Sequence, residues 1–226
     1  LVKNNISTSL NSNLMLATPE KMKKLKDIGL DHVLTSWFSY FPTETDNITQ
    51  YKGSFQKIVE GIKVTVAQGI RVSANTIVTQ LNHDTIYNSG KFLNSLGVSQ
   101  FFAHRVIPPA YDREDKEKQF SAKIEVAKRS LDELLRLKNE FGMKVGTLIN
   151  YPLCLLGDLE KYQDFVGRGC PTQQGHRFNL NSNGESHGCV MEDKNYGNIY
   201  EVGLKEAYAK TKSWRNDSYL FEGCKG

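Results

Sequence analysis

The sequence predicts an α/β fold: a partial (β/α) TIM-like barrel that contains only the later strands, followed by a small cysteine-rich α+β domain. Over residues 1–150, short apolar β-rich runs alternate with longer helical patterns, as in repeated βα units. Near Tyr151 the alternation stops, and the residues that follow hold all four cysteines and ten of the eighteen glycines. We therefore predict two domains, at residues 1–150 and 151–226.

The first domain is expected to hold a parallel sheet. Because βα units are right-handed, successive strands should lie side by side and the sheet should curl in one direction. Five strands are too few to close an eight-stranded barrel, and functional groups of such folds lie at the carboxyl ends of the strands. The candidate strands lie at residues 5–8, 32–36, 70–78, 98–107 and 144–150.

Start and stop signals delimit the helices between these strands. Thr18 is a suitable N-cap for a helix that Gly29 ends, since the cap is followed by proline and glutamate. Asp84 is a candidate cap for a later helix that ends before Gly97. Two further helices are predicted from residue 120 to a stop at Gly142 and over residues 204–214.

Composition excludes several classes of protein. The net charge of +4 is spread along the chain, so we expect no nucleic-acid partner. We also expect no membrane partner, because no apolar run reaches the roughly 20 residues of a spanning helix. The sequence opens without a recognisable signal segment and its βα region is free of cysteine, so we expect a cytoplasmic location. The chain starts at Leu1 and ends just after Cys224, so we expect it to be a fragment.

Two cysteines bracket a predicted hairpin. Cys170 and Cys189 flank the turn sequence NSNG, in which Gly184 allows the positive φ that a tight turn needs. Four chemistries are compatible with this pattern. Cysteines at such positions form a disulfide, bind zinc, bind an iron–sulfur cluster, or remain as small buried thiols.

The cysteine spacing resembles the opening motif of the SPASM domain, the auxiliary-cluster module of many radical S-adenosylmethionine (SAM) enzymes. Thirteen residues separate Cys170 from Gly184, and four separate Gly184 from Cys189. The run GNIYEVGLKEAY and the final Cys224-Lys225-Gly226 follow in the family's order. The segments ISTSLNSNLM, GLDHVLTSW, GIRVSANTIVTQLN and LGVSQFFAHRVIPP are similar to successive strand ends of the radical SAM partial barrel, from its third strand onward.

This resemblance implies [4Fe-4S] clusters and S-adenosyl-L-methionine (AdoMet) as cofactors. Cys170 and Cys189 would ligate the first auxiliary cluster, and Cys224 would belong to a second one whose other ligands are cut away. Cys154 would supply a third ligand to the first cluster, or is a buried core thiol. The C-x3-C-x2-C loop of the catalytic cluster would lie before Leu1, and without it the chain is expected to be inactive.

The same resemblance places cofactor-binding side chains at strand ends. Ser36 falls where the family has a serine that contacts AdoMet, although a strand-end hydroxyl also serves as a turn cap. Ser73 and Asn75 point the same way on the next strand, toward the cofactor or toward the backbone. Arg105 is available for the carboxylate of methionine or of a substrate, or forms a surface ion pair.

The implied activity is modification of a peptide or protein by hydrogen-atom abstraction, an oxidoreductase chemistry. A reductant such as flavodoxin or ferredoxin would be a further partner. Val190 follows Cys189 where sulfatase-maturing members have an acidic residue, which favours modification of ribosomal peptides. The alternative is a non-enzymatic interaction module, stabilised by zinc or a cluster on a degenerate barrel.

Overall fold

A computed structural model describes residues 6–80, 82–106, 123–151, 153–166, 171, 175–189 and 194–211. The described residues from Ile6 to Phe165 form one compact unit, and those from Val166 to Thr211 form a second. The domain boundary near Tyr151 stays a prediction.

The first unit is built on a five-stranded parallel sheet in which the strands follow one another in chain order. This order confirms the predicted parallel α/β architecture, because each crossover returns the chain beside the strand it has just left. The strands are β1 (Ser9–Asn11), β2 (His32–Ser36), β3 (Arg71–Val78), β4 (Gln100–Arg105) and β5 (Lys144–Gly146).

Helices connect the strands. The Thr18 hydroxyl accepts a hydrogen bond from the Lys21 amide at 3.3 Å, as the sequence predicts for this cap. The cap of the helix after β3 is Thr85, so the expectation for Asp84 is wrong by one residue. The helices are α1 (Pro19–Asp27), α2 (Pro42–Thr49), α3 (Ser54–Ala67), α4 (Ile86–Ser95), α5 (Ile124–Phe141) and α6 (Leu153–Leu156), and a 3-10 turn covers Gln163–Phe165.

The two faces of the sheet differ in polarity. On one face, strand residues such as Val33, Val72 and Phe101 are buried together with the apolar sides of the helices, among them Ile62 and Leu134. Since successive side chains of a strand point to opposite faces, the intervening residues share the other face. Those residues include His32, Ser36, Ser73, Asn75, Gln100 and His104.

The loop after β1 is held against α3 by an unusual contact. Leu14 is buried and adopts a φ of 59°, a conformation that leucine rarely takes. A Cβ atom at Gly61 of α3 would lie 2.1 Å from the Leu14 carbonyl oxygen. The loop therefore reaches its position because position 61 has no side chain.

The second unit contains the predicted hairpin. Strands β6 (Asn179–Leu180) and β7 (Ser186–His187) pair in antiparallel fashion, and Gly184 has the expected positive φ of 82°. Two helices follow, α7 (Ile199–Val202) and α8 (Leu204–Lys210). None of the helices in the described ranges combines the length and apolar character that crossing a membrane requires.

Candidate functional site

The polar face of the sheet reaches the carboxyl ends of β2, β3 and β4. Ser36, the last residue of β2, is the register partner of Asn75 on β3. On the other side of β3, Ile77 is the register partner of His104 on β4. Functional groups of parallel α/β folds gather at this edge because the loops that follow the strands meet there. Ser36, Asn75 and His104 are therefore the candidate side chains of this edge.

Asn75 and His104 form a direct contact on that face. The Nδ1 atom of His104 lies 2.9 Å from Oδ1 of Asn75. Because the amide oxygen can only accept, the Nδ1 atom carries the proton and donates it. The Nε2 atom of a neutral imidazole is then an acceptor, available to a hydrogen-bond donor of a ligand.

The environment keeps His104 neutral. Its side chain is 8% exposed, and burial lowers its pKa from 6.5 to about 4, with a further contribution from the charge of Arg105. A buried imidazole loses hydration when it is charged, so the neutral form is favoured. At neutral pH His104 therefore offers hydrogen bonds and carries no charge.

Asn82 links the two loops that rim this edge. Its Nδ2 group donates to the carbonyl of Ile77 at 2.9 Å and to that of Phe38 at 3.3 Å. Its Oδ1 atom accepts from the Thr79 amide at 2.8 Å. One buried amide thus joins the loop after β2 to the loop after β3, and it fixes the distance between them.

Trp37 follows Ser36 and continues the main-chain hydrogen bonding between β2 and β3 by one residue. Its amide donates to the Asn75 carbonyl at 2.8 Å, and its ring packs against Phe55 and Phe92 at centroid distances of 5.6 and 5.8 Å. The side chain is 3% exposed, and its Nε1 group has no hydrogen-bond partner among the described residues. Such an unpaired buried donor is uncommon in a folded protein.

Arg105, the last residue of β4, lies near Tyr151, which follows β5. The Tyr151 side chain is 4% exposed, and burial raises its pKa to about 12, an increase that the neighbouring Arg105 partly opposes. The hydroxyl approaches the Arg105 main chain, but no group in the described part of the protein pairs with it in hydrogen-bond geometry. The Nε group of Arg105 is likewise buried and unpaired within those residues.

Ser73 lies deeper on the polar face than Asn75. Its hydroxyl donates to Oε1 of Gln100 at 2.8 Å and accepts from Nε2 of His32, also at 2.8 Å. These two bonds use the hydroxyl proton and one of its two lone pairs. Ser73 is 1% exposed, so its hydroxyl is satisfied by its neighbours within the sheet.

The structure brings the predicted cofactor-binding residues only partly together. Ser36 and Asn75 are register partners, whereas Ser73 is one pleat farther from the carboxyl edge. Arg105 is paired in register with the fully buried Val78, so alternation places it on the face opposite to His104. Sequence reasoning missed His104, Asn82 and Tyr151, and only the register of β3 and β4 places His104 beside Asn75.

The cysteines are described only in part. Cys154 and Cys189 carry free thiols, whereas Cys170 and Cys224 lie outside the described residues. Cys154 is exposed, so the alternative of a buried core thiol is wrong for it. Among the residues that the structure describes, no three His, Cys, Asp or Glu side chains form a group suited to a metal ion.

Cys189 is positioned by the hairpin. The Asn179 side chain donates to the carbonyl of Gly188 at 2.9 Å, and the buried Ser186 hydroxyl donates to the carbonyl of Gly197 at 2.7 Å. Both contacts fix the strand that leads into the Cys189 thiol, which is half-buried. The hairpin therefore holds the main chain that precedes Cys189 in a defined position.

Comparison with known proteins identifies the fold. No protein-family model and no curated protein matches the chain. Native anSMEcpe with bound AdoMet and Kp18Cys peptide is similar over 97% of this chain and 62% of its own, with a TM-score of 0.73 and 16% identity. Streptococcus suis SuiB bound to S-adenosylmethionine is similar over 96% of this chain and 49% of its own, with a TM-score of 0.67 and 13% identity.

The chain thus spans about three fifths of the length of anSMEcpe and about half of that of SuiB. At these identities the likeness concerns the fold, and both structures contain AdoMet. The chain has the α/β fold of these two AdoMet-bound structures.

Proposed function

We propose that this chain forms the later strands of a radical SAM barrel together with an auxiliary-cluster domain of the SPASM type. The protein would bind AdoMet at the carboxyl edge of the sheet and modify a peptide or protein substrate. The proposal is supported by the likeness to the AdoMet-bound structures and by the cysteine pattern of residues 170–189.

The observation that carries this proposal is the polar surface at the carboxyl edge. Ser36, Asn75 and His104 offer a hydroxyl, an amide and a neutral imidazole on one face of a sheet whose opposite face is apolar. A small ligand with several polar groups, such as AdoMet, fits this set of donors and acceptors.

AdoMet, when bound beside a reduced cluster, would supply a carbon radical for hydrogen-atom abstraction, through one-electron cleavage of its carbon–sulfur bond. The residues of this chain would orient the ligand and exclude water. Asn75 holds the His104 ring so that Nε2 accepts from the ligand, and Asn82 keeps the two rim loops at a fixed distance. None of the four cysteines has C-x3-C-x2-C spacing, so the catalytic cluster would need ligands outside the printed sequence.

Cys170 and Cys189 would hold the auxiliary cluster in this proposal, with Cys154 as a candidate third ligand. The hairpin contacts of Asn179 and Ser186 would keep the Cys189 thiol in place. A reductant such as flavodoxin or ferredoxin would supply electrons.

The experiment that tests this proposal is anaerobic reconstitution of the full-length protein with iron and sulfide, followed by an AdoMet titration. A brown protein with absorption at about 400 nm and saturable AdoMet binding supports it. A colourless protein with stoichiometric zinc and no AdoMet binding would favour the interaction module instead.

A further inference from the structure

A buried pair of donors lies beside the carboxyl edge and is used by none of the contacts assigned so far. It consists of the Arg105 guanidinium, at the end of β4, and the Tyr151 hydroxyl, five residues after β5. The strands β4 and β5 are neighbours in the sheet, where Gln100–Phe102 pair with Lys144–Gly146. The charge and main chain of Arg105 both act on the Tyr151 hydroxyl.

Neither donor is satisfied within the described part of the chain. The Nε group of Arg105 and the hydroxyl of Tyr151 are both buried and unpaired there. The Nη1 group of Arg105 reaches only the Val106 carbonyl, at 3.5 Å, the outer limit for a hydrogen bond. No described carboxylate forms an ion pair with Arg105.

Two unpaired buried donors, one of them cationic, form a site that a carboxylate would complement. The loss of hydration at each unpaired group destabilises the free protein, and an anion that accepts from both removes that cost. A carboxylate is planar and has two acceptor oxygens, which match the guanidinium edge. Arg105 as a whole is half-buried, so part of the residue is open to solvent.

We propose that Arg105 and Tyr151 bind a carboxylate of the peptide substrate and anchor it beside the carboxyl edge. The pair lies on the opposite face of β4 from His104, which separates it from the surface assigned to AdoMet. The carboxylate belongs either to an Asp or Glu side chain or to the peptide C-terminus. This inference relies on the proposed function in one respect, namely that the ligand is a peptide.

The test measures peptide binding to the full-length protein by saturation-transfer NMR, with neither AdoMet nor turnover. Three acetylated alanine pentapeptides serve as probes: one with a central aspartate and an amidated end, one with a free C-terminus, and one that is neutral. The neutral peptide should bind at least tenfold more weakly than one of the two acidic peptides, and the acidic peptide that binds identifies the source of the carboxylate.

Arg105→Gln should weaken binding of that acidic peptide at least tenfold and leave the neutral peptide unchanged, since a charged hydrogen bond is lost. Tyr151→Phe should weaken it about threefold. Arg71→Gln is the matched control, because Arg71 lies at the amino end of β3 in an ion pair with Asp31. This control should leave peptide binding within twofold of wild type.

Three results would overturn the inference: equal binding of all three peptides, an equal loss in Arg71→Gln, or a loss of AdoMet affinity in Arg105→Gln without a loss of peptide affinity. The last result would assign the pair to the methionine carboxylate. Thermal unfolding shows whether Arg105→Gln is folded, and Tyr151→Phe provides the test if it is not. Failure of AdoMet binding in wild type would affect the proposed function but not this site.

Discussion

The His104 ring donates a hydrogen bond to the side chain of Asn75 across two neighbouring parallel strands, at a distance of 2.9 Å. This contact joins a residue that the sequence identified to one that it did not. It also fixes which nitrogen of the imidazole is free to accept, and the candidate AdoMet surface depends on that assignment.

Burial of neutral His104 should make the stability of the protein depend on pH. Its pKa is about 4 in the folded protein and 6.5 in the unfolded chain, so between these values the unfolded state binds more protons. Stability should therefore fall by about 2 kcal/mol as the pH is lowered from 7 to 4.5. Urea unfolding at the two pH values measures the change.

The control for that measurement is His104→Gln, which removes the titrating group and keeps a side chain that can donate to Asn75. Between the two pH values, the free energy of unfolding of this variant should fall much less than that of wild type. The difference between the two proteins should be most of the fall predicted for wild type. An equal pH dependence in the two proteins would show that His104 is not buried in its neutral form.

The contact of Gly61 with the loop after β1 should make this position intolerant of any side chain. Gly61→Ala places a methyl group 2.1 Å from the Leu14 carbonyl oxygen, a backbone atom that cannot rotate away. We expect a loss of about 2 kcal/mol in the free energy of unfolding, despite the better helix propensity of alanine.

Gly90→Ala is a matched control in another helix. Its new methyl group would also meet an atom at 2.1 Å, but this atom is the terminal Cδ1 of Leu137, whose side chain can change rotamer. Urea unfolding should therefore show a smaller loss for Gly90→Ala than for Gly61→Ala. A larger loss for Gly90→Ala would contradict the assigned role of Gly61.

Gly184 should be required for the hairpin that carries Cys189. Gly184→Ala forces a non-glycine residue to a φ of 82° and places its methyl group 2.5 Å from the ring of Tyr200. Gly53→Ala imposes a φ of 84° in the left-handed region with nothing within 4 Å, so it isolates the backbone strain. Thermal unfolding should show a larger destabilisation for Gly184→Ala, and equal effects would mean that the Tyr200 contact is unimportant.

The assignment of the cluster ligands predicts a specific pattern of iron loss. After anaerobic reconstitution, Cys170→Ser and Cys189→Ser should lower the iron content and the absorbance at about 400 nm to the same extent, because both thiols would bind one cluster. Cys154→Ser should do the same if it supplies the third ligand. Iron content that is unchanged in Cys189→Ser would contradict the auxiliary cluster.

Much of the sheet was predictable from sequence because its strands are apolar on one face and bounded by clear signals. Strand β2 occupies the predicted residues 32–36, and β3 begins one residue after its predicted start. Strand β1 was predicted around residues 5–8 but lies at Ser9–Asn11, where the polar residues of an edge strand weaken the pattern.

The site was less predictable because its important contacts join residues that are distant in sequence. Asn75 and His104 are 29 residues apart, and only the register of β3 and β4 brings them together. Tyr151 follows β5 in an irregular segment, so no periodicity indicates that it is buried near Arg105. Alternation would have placed Arg105 on the opposite face from Asn75, had the register been known.

Anaerobic calorimetric titration of the full-length protein with AdoMet shows whether the carboxyl edge of the sheet binds this ligand. Binding should be saturable and about tenfold weaker in Asn75→Ala and in His104→Gln, since each loses a hydrogen bond that orients the ligand. His32→Gln, which changes a hydrogen-bonded histidine at the amino end of the same face, should bind within twofold of wild type. Absence of AdoMet binding in wild type, or unchanged affinity in both carboxyl-edge variants, would contradict the account.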